Sequence, residues 1–179
     1  MIRRAQRSDA RAIAAIYNQS MEAGVFATCD VVPVTPESRI EWLDGHADPY
    51  PVFVFEGPGG TVLGWSALNR FSIRPSYPSI VEVSVYVDQA HRSRTVGAAL
   101  FVQLLVEARR LGFRSLVSLT FEKNRPSLRG LEAAGFRRVG VLAEVAWLRG
   151  GWESVVWLQK ELDGERDDPR LSRFTGAGV

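Results

Sequence analysis

An α/β (α+β) protein built on a mixed sheet is what this chain predicts, and three observations carry the prediction. Strand-like and helix-like periods alternate through the second half of the chain. The first half holds a strand pair closed by a glycine-rich turn. One uninterrupted strand, Ile80 to Val87, runs through a short turn into a long amphipathic helix. Together they describe a sheet that is partly antiparallel, with helices between its later strands.

Each element has its own local cause. Ile2 to Ala5 starts a short strand. Ser8 is expected to cap a helix, with Asp9 in the first turn, where the dipole favours negative charge. Ile13, Ile16, Tyr17 and Ser20 recur on one face of that helix. Thr35-Pro36-Glu37 opens a second helix, a capping hydroxyl followed by proline at the first helical position. Ile40 and Leu43 give it an apolar face and Gly45 ends it. Val52 to Phe55 and Val62 to Leu68 read as a hairpin around Gly57-Pro58-Gly59-Gly60. Phe71 to Ser79, rich in proline and serine, reads as a loop. After the Ile80 to Val87 strand, Leu100, Leu104, Ala108 and Leu111 fall at helical spacing and Gly112 stops them. Leu116 to Phe121 is a strand, Pro126 to Ala134 a helix stopped by Gly135. Val139 to Val145 and Val155 to Leu158 are the last strands. Residues 1–162 are expected to form one domain, with 163–179 a frayed polar tail.

Composition narrows the class. The chain has 179 residues, enough to bury a core without covalent staples. Its 22 basic and 20 acidic residues leave a net charge of +2 with no like-charged block, so no case for nucleic acid arises. Cys29 is the single cysteine, which rules out an intrachain disulfide. No apolar run reaches the length of a membrane span, and the N-terminus lacks the apolar core of a leader, so a cytoplasmic protein is expected. His46 and His91, with Cys29, have no metal-ligand spacing, so no metal is expected.

The chemistry concentrates after the central strand. Val81-Glu82-Val83-Ser84-Val85-Tyr86-Val87-Asp88 leads through Gln89-Ala90-His91 and Arg92-Ser93-Arg94-Thr95-Val96-Gly97-Ala98 into a helix. A strand, a tight turn and a helix N-terminus present unpaired backbone N–H groups and the positive end of a dipole, a site suited to phosphate. Gly97 and Ala98 keep the approach open, and Arg92 and Arg94 add charge. The spacing matches neither a Walker loop nor a dinucleotide fingerprint. An ordinary strand-to-helix connection with two surface arginines is the competing reading. Strand alternation sets Glu82, Ser84 and Tyr86 on one face and Val81, Val83, Val85 and Val87 on the apolar one.

This segment resembles the acetyl-CoA-binding motif of the GNAT superfamily, [Gln/Arg]-x-x-Gly-x-[Gly/Ala], through Arg92 and Gly97. Downstream, Asn124-Arg125-Pro126-Ser127 with Gly135-Phe136 is similar to the Asn-x-x-Ser…Gly-Phe run of the same superfamily. More narrowly, Ile13 to Asn18, Tyr77, the Val81 to Val87 strand, and Gly151-Trp152 with Gln159 resemble the phosphinothricin and methionine sulfoximine acetyltransferase branch. The resemblance implies a mostly antiparallel central sheet flanked by helices, with acetyl-CoA as co-substrate. It implies an N-acetyltransferase acting on the primary amine of a small amino-acid-like molecule, and a homodimer with aromatic residues near its interface.

The roles follow from that resemblance. Glu82 is the expected general base. An ammonium of pKa roughly 8–10 must lose a proton before it attacks a thioester. Val85, Tyr86 and Val87 are expected to offer main-chain groups to the pantetheine arm, with a backbone N–H polarising the acetyl carbonyl. Arg92, Ser93, Arg94, Thr95, Val96, Gly97 and Ala98 would cradle the pyrophosphate. Asn124 would bond the CoA arm, with Ser127 in the same motif; a capping residue is the plainer reading of Asn124. Phe71, Arg74 and Tyr77 are candidates for the acceptor wall, Arg74 as a carboxylate partner.

Three positions depart from the family pattern. Thr95 stands where glycine is usual, so the loop either keeps a negative φ there or stores strain. Leu131 stands where the superfamily often has tyrosine and this branch often histidine. Gly130 sits inside a helix, at a cost of about 1 kcal/mol relative to alanine. Two rival functions stay open: an acetyltransferase for another amine, such as a peptide N-terminus or an aminoglycoside, and a CoA-binding module whose chemistry has decayed.

Overall fold

A computed structural model describes residues 1–22, 26–92 and 94–162. The expected tail therefore lies outside the described residues, as does Ser93. Seven strands, β1 (Ile2–Arg4), β2 (Val52–Glu56), β3 (Val62–Arg70), β4 (Ile80–Val87), β5 (Ser115–Phe121), β6 (Arg137–Leu148) and β7 (Gly151–Glu161), form one sheet. Four α-helices accompany them: α1 (Ala10–Asn18), α2 (Pro36–Asp44), α3 (Arg94–Arg110) and α4 (Arg125–Ala133). The strand order is β1-β2-β3-β4-β5-β7-β6. Every pairing is antiparallel except that of β4 with β5, so the sheet is mixed and mostly antiparallel, as expected.

The start of α1 corrects one expectation. Ser8 does not cap it. Arg7–Asp9 forms a 3-10 turn and α1 begins at Ala10. Asp9 is the reason: its carboxylate accepts the Gln6 backbone N–H at 2.7 Å and two bonds from Arg3 at 2.7 and 2.9 Å. A charged acceptor outcompetes the Ser8 hydroxyl, and the turn winds one residue further before the helix starts. The second helix starts as its residues dictate, with Thr35 Oγ1 accepting the Ser38 N–H at 3.1 Å and Pro36 in the first turn. Its buried residue is Arg39, with Trp42 and Leu43 packed against the core. The Arg39 guanidinium lies 4.2 Å from the Tyr17 ring centroid and 5.0 Å from that of Trp42, so π faces offset part of the cost of burying it.

Alternation along the strands divides the core in two. Val52, Val54, Trp65 and Ala67 face α1 and α2. Phe53, Leu68, Val81, Val83, Leu116, Val156 and Leu158 face α3 and α4. On α3, Leu100, Leu104 and Ala108 are fully buried, the stripe their spacing predicts. Gly64 lets α3 settle on the sheet: a Cβ there would lie 2.9 Å from the Tyr86 carbonyl oxygen and 3.1 Å from Leu100 Cδ1. The start of α3, which follows β4, is thereby brought down against β3. The last two strands run longer than their apolar cores suggest. β6 is an edge strand interrupted by register shifts, and nearly all of it is exposed.

Candidate active site

The site grows out of one local event in the sheet. β4 and β5 pair at Ile80–Ser115, Val81–Leu116 and Glu82–Val117, and no further rung joins them. On its other side β4 stays paired with β3 along its length, to Val87 opposite Gly64. The Asp88 N–H then donates to the Leu63 carbonyl at 2.9 Å. Antiparallel ladders alternate, so this rung fixes which backbone groups face where. Even-numbered residues of β4, Tyr86 among them, turn their N–H and C=O to β3. Val83, Val85 and Val87 turn theirs toward the gap that β5 has left. Of the three residues expected to offer main-chain groups there, Val85 and Val87 do so; Tyr86 spends its backbone on Trp65 and its ring on the opposite face.

Two helix N-termini close the same end of this gap, because β4 and β5 are parallel and each leads into a helix. The turn before α3 is pinned by side chains. Asp88 accepts the Ala90 N–H at 3.0 Å and faces His91 Nδ1 at 2.9 Å, while Gln19 donates to Asp88 at 2.8 Å. The Gln19 carbonyl accepts the Gln89 N–H at 2.8 Å. The Gln19 bond, then the His91 and Ala90 bonds, hold the Asp88 carboxyl below its usual value against the opposing effect of burial. Residues 94–97 form the first turn of α3, whose N–H groups have no intrahelical acceptor.

The residues expected around a phosphate divide as follows. Arg92, Thr95 and Ala98 are exposed, and Val96 is buried in the core, so Val96 offers its backbone alone. Arg94 opens the helix. Thr95 is helical and is absent from the positive-φ residues, so of the two expected outcomes there the chain takes the unstrained one. At Gly97 an added Cβ would meet Val87 Cγ2 at 3.5 Å and nothing closer among the described residues. Its missing side chain therefore leaves free space beside the first turn of α3 and the end of β4. Asn124 caps α4, its Oδ1 accepting the Ser127 N–H at 3.2 Å. Its plainer reading as a cap is thus the one with a bond in the structure.

The opposite face of β4 carries the expected base. Glu82 is half-buried and, among the described residues, its carboxylate pairs with no arginine and accepts no hydrogen bond. Burial pushes its carboxyl up. Residues 26–30 lie over this face. The Tyr86 hydroxyl donates to the Ala27 carbonyl at 3.2 Å, and the Tyr17 hydroxyl reaches Thr28 at 2.6 Å and also bonds Asp30. Burial, then Asp30 and Glu82, push the Cys29 thiol up, which sets Cys29 in the electrostatic neighbourhood of Glu82. Phe71 stands edge-on to Tyr77 at 5.7 Å and to Trp157 at 6.0 Å. Arg74 is exposed and forms no ion pair among the described residues. A shallow cleft of about 530 Å³ opens beside Tyr77 between the starts of β4 and β5, with Ile80, Arg114, Ser115 and Gln159 in its walls.

Sequence reasoning gave no site role to Gln19, Asn69, His46, Cys29 or Trp157. Asn69 pairs across from Glu82, and Trp157 across from Leu119. Register brings both to this face, and register is invisible to a reading along the chain. Leu131 packs against the core beneath α3 and α4. That position supplies packing, and its side chain has no proton to give.

Two diverging parallel strands, inward backbone donors and two adjacent helix N-termini suit an elongated ligand with an anionic end, and the space at Gly97 suits that end. Comparisons with known proteins bear on what it is. The model of the acetyltransferase (GNAT) family matches residues 12–136. The chain is 38% identical to the YwnH protein of Bacillus subtilis over 170 residues, covering 95% of each. It is 32% identical to a phosphinothricin N-acetyltransferase of Streptomyces viridochromogenes, over 90% of this chain and 87% of that one. A phosphinothricin acetyltransferase from Sinorhizobium meliloti, solved in complex with acetyl-CoA, superposes with a TM-score of 0.83 at 27% identity, over 90% of this chain and 88% of that one.

Proposed function

Because this chain belongs to the acetyltransferase (GNAT) family, within its phosphinothricin and methionine sulfoximine branch, we propose that it moves the acetyl group of acetyl-CoA onto the primary amine of a small amino-acid-like acceptor, with Glu82 as general base. The observation that carries the reading is the position of Glu82. It occupies the last rung between β4 and β5, on the face opposite the core under α3 and α4, where the gap opens.

The residues present fit acetyl-CoA. Arg92 and residues 94–98, with the first-turn N–H groups of α3 and the free space at Gly97, receive the pyrophosphate. The backbone groups of Val85 and Val87 receive the pantetheine arm. Asn124 and Ser127, at the start of α4, flank it across the gap. The thioester supplies an activated acyl carbon and a leaving group that departs near neutral pH without an acid, so Leu131 is no obstacle.

The chain's own part is proton handling and placement. The acceptor arrives as an ammonium. The Glu82 carboxylate takes one N–H proton, and the freed lone pair attacks the acetyl carbon. A backbone N–H facing the gap steadies the negative charge that gathers on the carbonyl oxygen. The carbon–sulfur bond breaks, a second N–H proton is lost, and the thiolate takes up a proton. The balance is one amide and one thiol formed, with one proton released. Burial suits Glu82 to this role, since a raised carboxyl is a stronger base than a solvated one. Phe71 and Tyr77 wall the acceptor, and the exposed Arg74 is the candidate for its carboxylate.

The reading extends to a homodimer. β6 is a long edge strand exposing Val139, Val141, Leu142 and Val145, with Trp147 and Trp152 beside each other at 58% and 57% exposure. An uncovered apolar edge of this length is a liability in a monomer and a natural seam between two copies. Thiol release from acetyl-CoA across amino acids, amino-acid analogues and peptides tests the function. Release is expected with phosphinothricin, methionine sulfoximine or a related amino acid. Turnover confined to peptides would transfer the enzyme to the other acceptor class, and no turnover would remove the activity.

A further inference from the structure

A hydrogen-bond chain that begins in α2 ends beside Glu82. His46 follows α2, its ring 4.0 Å from that of Trp42. Its Nδ1 lies 2.8 Å from the Trp42 carbonyl oxygen and its Nε2 3.1 Å from the Asn69 side-chain amide. The other arm of that amide lies 3.0 Å from Ser84 Oγ. Asn69 stands across from Glu82 in the ladder, so Asn69, Glu82 and Ser84 share one face. Glu82 is the last residue of β4 paired with β5, and Ser84 is the first on that face beyond the parting.

The chemistry of the chain fixes a direction. A carbonyl only accepts, so His46 Nδ1 carries the proton. In a neutral ring Nε2 then accepts, and the Asn69 atom facing it is the amide nitrogen. The amide's oxygen and nitrogen exchange places by a half-turn about its last bond, and the network assigns them. Asn69 Oδ1 then faces Ser84 and takes its O–H. With the amide as the structure places it, Oδ1 toward His46 Nε2 and Nδ2 donating to Ser84 Oγ, both ring nitrogens must donate and the Ser84 proton is free. Either way Ser84 Oγ keeps a lone pair; with the neutral ring it keeps both and has no proton left to donate. A pure acceptor is what an incoming ammonium needs.

Resting on the reading of Glu82 as base, we propose that Ser84 holds the acceptor's amine next to Glu82 and that Asn69 and His46 are positioning residues, which point the Ser84 hydroxyl away from the amine. Residues two apart on a strand stand roughly 6.8 Å apart. Two hydrogen bonds of about 2.8–3.0 Å set at the tetrahedral angle span just under about 5 Å, so one nitrogen reaches both oxygens when the longer Glu82 side chain leans along the strand toward Ser84. One N–H goes to the Glu82 carboxylate and is transferred. A second goes to Ser84 and stays until the amide forms. The two bonds leave the nascent lone pair aimed at the gap, where the acyl carbon arrives.

Steady-state kinetics with the best acceptor of the amino-acid panel tests this. Ser84→Ala should raise the acceptor KM about tenfold, the usual effect of losing a bond to a charged group, with the acetyl-CoA KM unchanged. Asn69→Ala should raise it by less, and the Asn69→Ala/Ser84→Ala double variant should match Ser84→Ala, because Asn69 acts through Ser84. His46→Gln, which keeps a donor and an acceptor, should stay near wild type, while His46→Phe should behave like Asn69→Ala. Glu82→Gln should instead lower kcat. An unchanged acceptor KM in Ser84→Ala, or a double variant losing the product of the two single effects, overturns the inference and leaves Glu82 as base. Full turnover by Glu82→Gln overturns the base and leaves the Ser84 result to be read by itself. Absence of acetylation of every panel member by the wild type overturns both.

Discussion

Glu82 lies opposite Val117 on the last rung that joins β4 to β5. On one side of that rung the two strands share hydrogen bonds, and on the other they separate. The carboxylate therefore stands at the head of the gap, half-buried and without a hydrogen-bond partner among the described residues. Burial raises it, so the protonated form is favoured more in the folded chain than in solvent.

Glu82→Gln should lower kcat by about 10²-fold or more at neutral pH, within the usual range for a lost acid–base group. Acetyl-CoA affinity should hold, since the variant leaves the backbone of β4 and the first turn of α3 untouched. Turnover against calorimetric affinity makes the comparison, and full turnover by the variant rejects the base.

The same burial gives two pH signatures. In the wild type, kcat/KM should fall as pH drops through a midpoint above the ordinary glutamate value of about 4.3, and Glu82→Gln should lack that acid limb. For stability, a raised carboxyl favours the folded state while both states are protonated, and that contribution is lost as pH rises through the folded value. Glu82→Gln should therefore melt higher than wild type at neutral pH and close to it in mild acid. Calorimetric scans at the two pH values decide; a variant less stable at neutral pH would contradict the sign.

Gly97→Glu should abolish CoA binding and leave the fold intact. Among the described residues a new Cβ meets Val87 Cγ2 at ordinary contact distance, so the substitution fits the fold, and it sets a negative charge where the phosphates are proposed to lie. Calorimetry of CoA with the folded variant tests it, and unchanged affinity would move the phosphates elsewhere.

Thr95→Gly should not tighten acetyl-CoA binding. Thr95 is helical, so there is no left-handed strain for glycine to relieve. The variant should instead lose about 0.3 kcal/mol of stability through helix propensity. Tighter binding by the variant would mean the turn adopts another backbone when loaded.

Trp147→Asp with Val141→Asp should halve the mass measured by light scattering, if β6 joins two copies as proposed. Both positions are exposed in the single chain, so its folding should survive the change. A mass of one chain for the wild type would reject the homodimer.

The fold was legible where a residue's effect is local. Thr35 with Pro36 started a helix where expected, and Leu100, Leu104 and Ala108 are buried at the spacing that announced them. Ser8 failed as a cap because Arg3, distant in the prediction but adjacent across the turn, committed Asp9 to a different arrangement. The surroundings of Glu82 and of the turn before α3 were least legible for the same reason. Asn69 meets Glu82 by register, His46 meets Asn69 by helix placement, and Gln19 grips Asp88 across 69 residues of chain. None of these leaves a period or a motif. Ser84 was assigned to the right face by alternation alone, and its partners needed the folded chain.

The phase of β4 separates two kinds of inheritance. Its odd positions use side chains for the core and backbone for the gap, while Glu82, Ser84 and Tyr86 send their side chains to the other face. A grip made by backbone is indifferent to most substitutions, because every residue but proline brings the same N–H and C=O. Under the proposed chemistry, mutations at even positions can retune acceptor choice while donor recognition on the same strand is carried forward unchanged. A lineage can thus wander among amines without ever surrendering its acyl donor, and a designer who wishes to redirect this enzyme has a strand already divided for the purpose.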